Sequence, residues 1–501
     1  MGFWPWTKTK QVKAAVNSPL YVRGRYDAAQ TTPDNRKHWA AADGLSANAA
    51  NLPHVRRVLR NRARYEVANN SYARGIVLTL ANDTIGTGPS LQMLTGDDAV
   101  NALIEDAFNR WAEAINLADK LRTMRMARAE SGECFILLVA NPQVDSPVKL
   151  DLQLIEADQV ATPYEAVGRR PKAEGVSASA SGLQPTAFVD GIVFDSYGNP
   201  VLYHILKNHP GERGVFTDLK SDPIPAASVI HYYCTDRPGQ SRGIPDITPA
   251  LPLFAQLRRY TLAVVSAAES VANISILMKT NAPAGGEAAE VEPMTEMEFV
   301  PNMAVFTPEG WEPSQVKAEQ PATTYEMFKR EILNEIARCL NMPFNVAAGN
   351  SSGYNYASGR LDHQTYYKSI RVDQEQIGRI VLDHVLRAWF EEAVLIPNLL
   401  PPELKNTPFS ELGHQWFWDG QEHVDPAKEA NAQATRLASN TTTLAYEYAR
   451  QGRDWEDELR QRAKEVALMN KLGLTVAQVT PSAAKPKTET NNDQNTSKRA
   501  A

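Results

Sequence analysis

Residues 349 to 360 read GNSSGYNYASGR, and their reading decides the fold. Small and turn-forming residues lead into Tyr354, Asn355 and Tyr356, and a run compatible with one long helix follows at once. Such a loop can cradle a phosphate, make an ordinary surface turn, or line a channel. The flanks narrow the choice. Upstream, Thr323 with Glu326 three residues later has the spacing of a capping box. Phe328, Ile332, Ile336 and Leu340 then share one helix face until Asn341-Met342-Pro343 stops it. Downstream, Asn355 is the expected N-cap. From Tyr356 to about Glu392 no proline intervenes, and Ile377, Ile380, Val381, Val385, Ala388 and Trp389 mark a buried stripe. At 1.5 Å per residue that helix would run about 50 Å, too long to wrap a small core alone.

Further upstream, RGIPDITPALPLFAQLRRYTLAVVSAAESVANISILMKT spans 242 to 280. Its prolines end at Pro252, and a helical period then runs through Phe254, Leu257, Thr261, Val265, Ala268 and Ala272. Tyr260 to Met278 is the most apolar stretch, but two arginines precede it and Glu269 and Asn273 interrupt it, so a packed helix is expected rather than a membrane span. Residues 281 to 320 are acidic, with prolines and glycines around short β-like pieces, and read as a small insert between two helices. Glu287, Glu290, Glu292, Glu296 and Glu298 could bind a divalent cation; a solvated or partner-facing surface is the commoner outcome.

Nearer the start, residues 1 to 50 are polar and weakly periodic, the pattern of a loose arm. Arg56, Arg57, Arg60, Arg62 and Arg64 crowd a short helix, where a solvated or interface face is commoner than a nucleic-acid patch. IGTGP at 85–89 has neither a third glycine nor a Lys-Ser/Thr pair, so it reads as a turn closing an element. Residues 98 to 130 look helical, with Val100, Leu103, Ile104, Ala107, Phe108 and Trp111 at spacings of three and four. Short strands follow from Glu133 to about 235, with a Gly/Ser/Ala-rich loop at 166–187 and a hairpin turn at Gly198-Asn199-Pro200. Near the end, Pro426 opens a helix, Gly452 ends another and Asp454 caps a third. Residues 480 to 501 form a polar tail with the composition of disorder.

The chain has 501 residues, 43% of them hydrophobic, enough for a real core. A net charge of −6 speaks against a protein whose main task is gripping DNA phosphates. The three cysteines, Cys134, Cys234 and Cys339, are isolated and read as core thiols. No P-loop or zinc-protease motif occurs. His204 and His209 fit a strand and its turn better than a metal site, and Trp416-Phe417-Trp418 fits core or subunit packing better than a stacking platform. A long chain with a β-rich region, a helix–insert–helix module and no catalytic set suits a structural or assembly protein, not an enzyme.

Four stretches, in order, resemble the lambda-type family of bacteriophage portal proteins. ANNSYARGIVLTLANDTIGTGPSLQ is similar to the family's Asn-Asn and Gly-x-Gly pattern. SRGIPDITPALPLFAQLRRYTLAVVSAAESVA resembles its Arg-Gly-(Ile/Val)-Pro motif, here Arg242, Gly243 and Pro245. GNSSGYNYASGR resembles its Asn-Tyr-(Ser/Ala)-Ser-x-Arg motif, ending on Arg360. VDPAKEANAQATRLASNTTTL is similar to its Asp-Pro-x-Lys-Glu pattern, here Asp425, Pro426, Lys428 and Glu429, with Asn440 where the family has a Gly. The match covers about residues 25 to 470.

The resemblance implies an α+β portal fold and a ring, usually of twelve subunits, at one capsid vertex of the virion. It would be assembled in the host cytoplasm and need no cofactor. It implies an arm (1–50), an α/β wing (51–245), stem helices (246–275 and 321–342) flanking a clip (276–320), and a tunnel loop (343–356). A long wing helix with the rest of the wing (357–424), crown helices (425–479) and the tail would follow. The five clip glutamates would face the terminase large subunit. Head-completion or adaptor proteins, the major capsid and the scaffold proteins would be further partners. Asn350, Ser351, Ser352, Gly353, Tyr354, Asn355 and Tyr356 would line the channel for double-stranded DNA. Few cations there mean little counterion release, hence weak contact with a sliding duplex. Twelve copies would carry about −72, a field that keeps DNA off the walls. Another head–tail connector component would lack the helix–insert–helix order, and a nucleic-acid hydrolase would need a catalytic set.

Overall fold

The structure, a computed structural model, describes residues 37–39, 41–163, 187–212, 220–273, 277–280, 311–314, 322–353, 356–420 and 426–474. A helical turn α1 (Ala47–Ala50) precedes α2 (Pro53–Asn69) and α3 (Ser71–Ile85). Then come β1 (Ser90–Met93), α4 (Asp98–Ala114), α5 (Leu117–Ser131), β2 (Glu133–Ala140) and β3 (Leu150–Ile155). Strands β4 (Ala187–Val189), β5 (Ile192–Phe194), β6 (Pro200–Leu206), β7 (Ser221–Pro225) and β8 (Val229–Tyr233) follow. The helix α6 (Leu251–Asn273), strands β9 (Leu277–Thr280) and β10 (Trp311–Ser314), and helix α7 (Ala322–Arg338) come next. Finally α8 (Phe344–Ala348), α9 (Tyr356–Ile377), α10 (Asp383–Ala393), β11 (His414–Phe417), α11 (Pro426–Ala438), α12 (Leu444–Ala449) and α13 (Trp455–Leu472) complete the chain.

All strand pairs among the described residues are antiparallel. β2 is flanked by β3 and β8, β4 to β7 form a meander, β1 pairs with β11, and β9 pairs with β10. The strands expected between 133 and 235 are present. β7 carries Pro223 and Pro225; the strand lies at the edge of the meander, where a missing N–H is tolerated. The turn before β6 is built by Asp195, whose carboxylate accepts the Tyr197 and Asn199 N–H groups at 2.9 and 2.8 Å.

Three apolar cores result. The first packs α4, α5 and α10 on the β2 sheet around Phe108, Trp111 and Trp389, with Phe108 edge-on to Trp389 at 5.3 Å. The second gathers Ile76, Leu80, Phe254, Ile336, Tyr366 and Ile370 from α3, α6, α7 and α9. The third joins the two sheets through Phe135, Ile155, Tyr203 and Val229. The long helix resolves its own length problem by serving two cores. Tyr366 and Ile370 enter the second core, and Ile377, Val381, Val385 and Trp389 enter the first. Between α9 and α10 the backbone widens into a π-helical turn, Gly378–Leu382. A one-residue widening re-aims the apolar stripe as the helix passes from one core to the next.

Several expectations are corrected. Residues 98–130 are two helices, broken at Ile115-Asn116, where Asn116 takes φ 53°. Helix α7 begins at Ala322, so Thr323 lies inside it rather than capping it. The buried stripe of α6 holds Phe254 and Leu257, whereas Val265 is exposed. The end of the 1–50 segment is docked, not loose: Asn48 bonds Gly239 O and Ser241, and Arg237 bonds Leu45 O. Gly86 closes α3 at φ 58°, and Thr87 holds Asp419 through its N–H and hydroxyl at 2.6 and 2.7 Å, so IGTGP is a turn. Asn440 takes φ 55°, so it supplies the left-handed turn of the glycine it replaces. Trp416 and Trp418 pack on the first core. Cys134 is buried, Cys234 and Cys339 are half-buried, and all three are free. No helix among the described residues is long and apolar enough to cross a membrane.

Candidate functional site

The Arg-Gly-Ile-Pro segment is the buried centre of the molecule. Arg242 is 1% exposed and Glu133, the first residue of β2, is fully buried. The Arg242 Nε lies 3.0 Å from both Glu133 oxygens and its Nη2 lies 2.7 Å from Oε1. The remaining guanidinium hydrogens reach the carbonyls of Val160, Ala157 and Asp190. Gly243 N–H donates to Glu133 Oε2 at 2.9 Å. His231 Nε2 lies 3.0 Å from that same oxygen, with its ring stacked between Phe135 and Tyr233 at 4.2 Å from each. Burial alone would raise the Glu133 carboxyl; Arg242 and His231 reverse this and hold it well below the usual carboxylate range. Burial lowers His231, so the ring is neutral and donates to Glu133.

The glycine of the motif is required by contact. A Cβ on Gly243 would sit 2.0 Å from the Gly132 carbonyl oxygen, and Gly132 itself takes φ +91° against the Ile244 backbone. Helix α2 closes the hub from the other side. Arg56, Arg60 and Arg64 recur every four residues on one face, pairing with Asp190, Asp158 and Glu156. Arg56 and Arg60 are therefore interior, neither a solvated face nor a DNA patch. Desolvation lowers Arg56 to about 9, reinforced by the nearby Arg242 charge.

A second ionic knot ties this hub to the long helix. Arg125 bonds Asp246 and Asp373 at 2.9 Å each, and Arg128 donates to the Tyr232 hydroxyl at 2.9 Å. Asp246 follows the Arg-Gly-Ile-Pro motif, and Asp373 belongs to α9. Thus the segment just after the Arg-Gly-Ile-Pro motif, α5 and α9 share one charge cluster.

The loop after α8 hangs from this frame. Gly349 ends α8 at φ 62°, and Asn350 N–H bonds Asn345 O at 3.0 Å. The Asn350 side-chain oxygen accepts the Ser352 N–H and hydroxyl at 2.9 and 2.7 Å, an Asx turn. Asn350, Ser351, Ser352 and Gly353 are all exposed. Tyr354 and Asn355 lie outside the described residues, and Tyr356 opens α9. Below the loop, Asn345 meets His363 at 3.0 Å, Tyr366 donates to Asp83 at 2.6 Å, and Gln374 donates to Thr84 O at 3.0 Å. The loop is polar and exposed while its supports are packed.

The other expected site residues divide. Arg360 is exposed on α9. Pro426 starts α11, as its position predicted; Asp425 lies outside the described residues. Glu429 bonds Arg436 at 2.9 Å, and Arg436 also bonds Glu447, knitting α11 to α12. Glu287, Glu290, Glu292, Glu296 and Glu298 lie outside the described residues, as do the 166–187 loop apart from its last residue and the tail from 480. The strands β9 and β10 that bracket the insert pair in register from Trp311↔Thr280 to Ser314↔Leu277. Helices α6 and α7 lie side by side, with Tyr260 against Phe328 at 4.3 Å.

Glu156, Asp158 and His209 are spaced as a metal site could be. The two carboxylates already face arginines. Arg64 lies 2.8 and 3.0 Å from the two carboxylates, and His209 Nδ1 accepts the Gly211 N–H, so its Nε2 carries the proton facing Glu156. The sequence reading placed His209 in the turn after β6, where it is. It missed Glu133 and Asp190 as partners of the motif arginine and Asp158 as the partner of Arg60 and Arg64; the four-residue spacing of Arg56, Arg60 and Arg64 was the available signal.

The family described as "Phage portal protein, lambda family" matches residues 33–374. The chain therefore belongs to the lambda family of phage portal proteins, and its role is at the portal vertex. The family is structural rather than enzymatic. A curated relative, "Probable portal protein" of Halomonas phage phiHAP-1, is 24% identical over 463 residues, covering 85% of this chain and 84% of that protein. Among solved structures, the chain is similar to one from "Neck of native GTA particle computed with C12 symmetry", at 12% identity and TM-score 0.42, covering 78% and 90% of the two chains. It is similar also to one from "Virion of native gene transfer agent (GTA) particle", at 12% identity and TM-score 0.41, covering 89% and 100%.

Proposed function

We propose that copies of this chain close into a ring, of twelve subunits, that forms the channel at one capsid vertex through which double-stranded DNA is packaged and later ejected. In this reading the ring is assembled in the host bacterial cytoplasm with capsid and scaffold proteins. Residues 51–245 with 357–424 are the wing, 246–275 and 321–342 the stem, and 425–479 the crown. The clip, 276–320, presents Glu287, Glu290, Glu292, Glu296 and Glu298 to the terminase large subunit, and head-completion proteins dock there afterwards. The 343–356 segment faces the passing duplex.

The observation that supports this most directly is the character of the loop beyond α8. Asn350, Ser351 and Ser352 are neutral, exposed and locally hydrogen-bonded, on a base locked to two cores. The chain's arginines around the hub are turned inward and paired. A duplex sliding past such a loop meets hydrogen-bonding atoms but few cations, so little counterion release holds it in place. Cysteine at Ser351 or Ser352, in particles stalled during packaging, should crosslink to DNA through a thiol-reactive photoprobe. Particles with DNA inside the ring and no crosslink at either position would remove this loop from the channel wall.

A further inference from the structure

Helix α13 is eighteen residues long and none of them is buried. It is tied to the body at its beginning. Gly452 packs on Trp418 O, Asp454 accepts from Gln92 Nε2 at 2.5 Å, and Asp454 caps the helix through Glu456 N–H at 2.7 Å. Beyond that start most of the helix is exposed, with Val466 and Met469 half-buried, and it carries exposed leucines: Leu459 at 39%, Leu468 at 56% and Leu472 at 64%. An isolated helix of this length is marginal in water and normally depends on packing.

The spacing of the leucines says what kind of packing. Leu459 and Leu468 are nine residues apart, about two and a half turns, so they lie on opposite sides of the helix. Leu472 falls one turn above Leu468, on its side. Val466 falls two turns above Leu459, on the other. A helix covered by one partner needs one apolar stripe; this one has two, back to back. Its charges do not oppose stacking like on like. Glu456, Asp457, Glu458 and Glu465 are matched by Arg460, Arg462, Lys464 and Lys471, and Arg460 and Arg462 are paired within the helix.

We infer that α13 is sandwiched between the α13 helices of two neighbouring copies of this chain, the Leu459–Val466 side of one against the Leu468–Leu472 side of the next. Such a contact joins two different faces, so it propagates around a ring instead of ending at a dimer. The inference rests on the ring reading, and it names the surface that carries the crown.

The test is oxidative crosslinking of the full-length ring, first verified by native mass. In V466C/L468C the two cysteines stand at nearly one height on opposite sides, so oxidation should link successive copies into a ladder reaching the full ring. V466C and L468C alone should give no more crosslinking than the parent chain with Cys134, Cys234 and Cys339. Dimers from either single variant would mean a two-fold contact and overturn the inference. Intact rings with no ladder from the double variant would overturn it while leaving the ring standing; absence of rings would instead sink the ring reading. Should the variants not assemble, amide exchange on the unaltered protein decides. Residues 459–472 should exchange at least tenfold more slowly in rings than in unassembled chain, and equal rates would overturn the inference.

Discussion

Two carboxylates mark two differently built regions. Glu133 lies at the hub where Arg242, His231 and the Gly243 N–H converge, and its charge is fully countered. Glu105 lies where β1 and α4 meet the start of α13. It accepts the Met93 N–H at 2.6 Å, but Asp454, Asp457 and Glu456 are its neighbours. At the hub, neighbours depress the acid. At the seam beside α13, burial together with those three acids raises it to about 7. The hub is a closed set of partners that joins α2, β2 and the Arg-Gly-Ile-Pro segment. The seam is an incomplete one, and the helix beyond it has no buried residue.

If that contrast is right, disturbing the hub should cost most. Glu133→Gln leaves the Arg242 guanidinium buried without its counterion and should lower stability by about 3–5 kcal/mol, read by chemical denaturation. Gly243→Ala drives a methyl into the Gly132 carbonyl and should cost about 1–3 kcal/mol in the same assay.

At the seam the effect is one of pH. The folded Glu105 carboxyl titrates above its ordinary value, so the folded state binds the extra proton. Its contribution is present at low pH and is lost as pH rises from about 4.5 to about 7. Glu105→Gln should flatten that fall; with solvent screening discounted, the difference is at most about 2 kcal/mol. Glu133 has the opposite sign, since its folded value is depressed and its contribution is lost as pH falls below the ordinary carboxylate range. Asp454→Ala removes the cap of α13 and should cost about 1 kcal/mol of local stability, seen as faster amide exchange in that helix. Arg436→Ala, which removes the half-buried link from α11 to Glu447 of α12, should cost less than Glu133→Gln in the same denaturation assay, because Arg450 still faces Glu447, and a larger cost would erase the contrast.

Much of the fold was legible. The stripe Ile377, Val381, Val385 and Trp389 marked the long helix, and Pro426 and Asp454 marked two helix starts. The capping box at Thr323 failed by a residue, a boundary matter. Periodicity could not reveal that the long helix serves two cores, because a π turn at Gly378–Leu382 adds one residue and leaves no composition signature. The hub was half legible. Arg242 and Gly243 stood out as a motif, but the motif looked like a landmark rather than an ion pair. Glu133 begins an apolar strand more than a hundred residues earlier, and no local pattern links the two.

The central claim, that this portal protein is a ring with an open centre, is tested most directly by the native mass of the full chain expressed with its capsid and scaffold proteins, with images of the same sample. The account predicts one dominant species near twelve times 55.3 kDa, with a central hole. A chain that stays at 55.3 kDa with those partners present would contradict it.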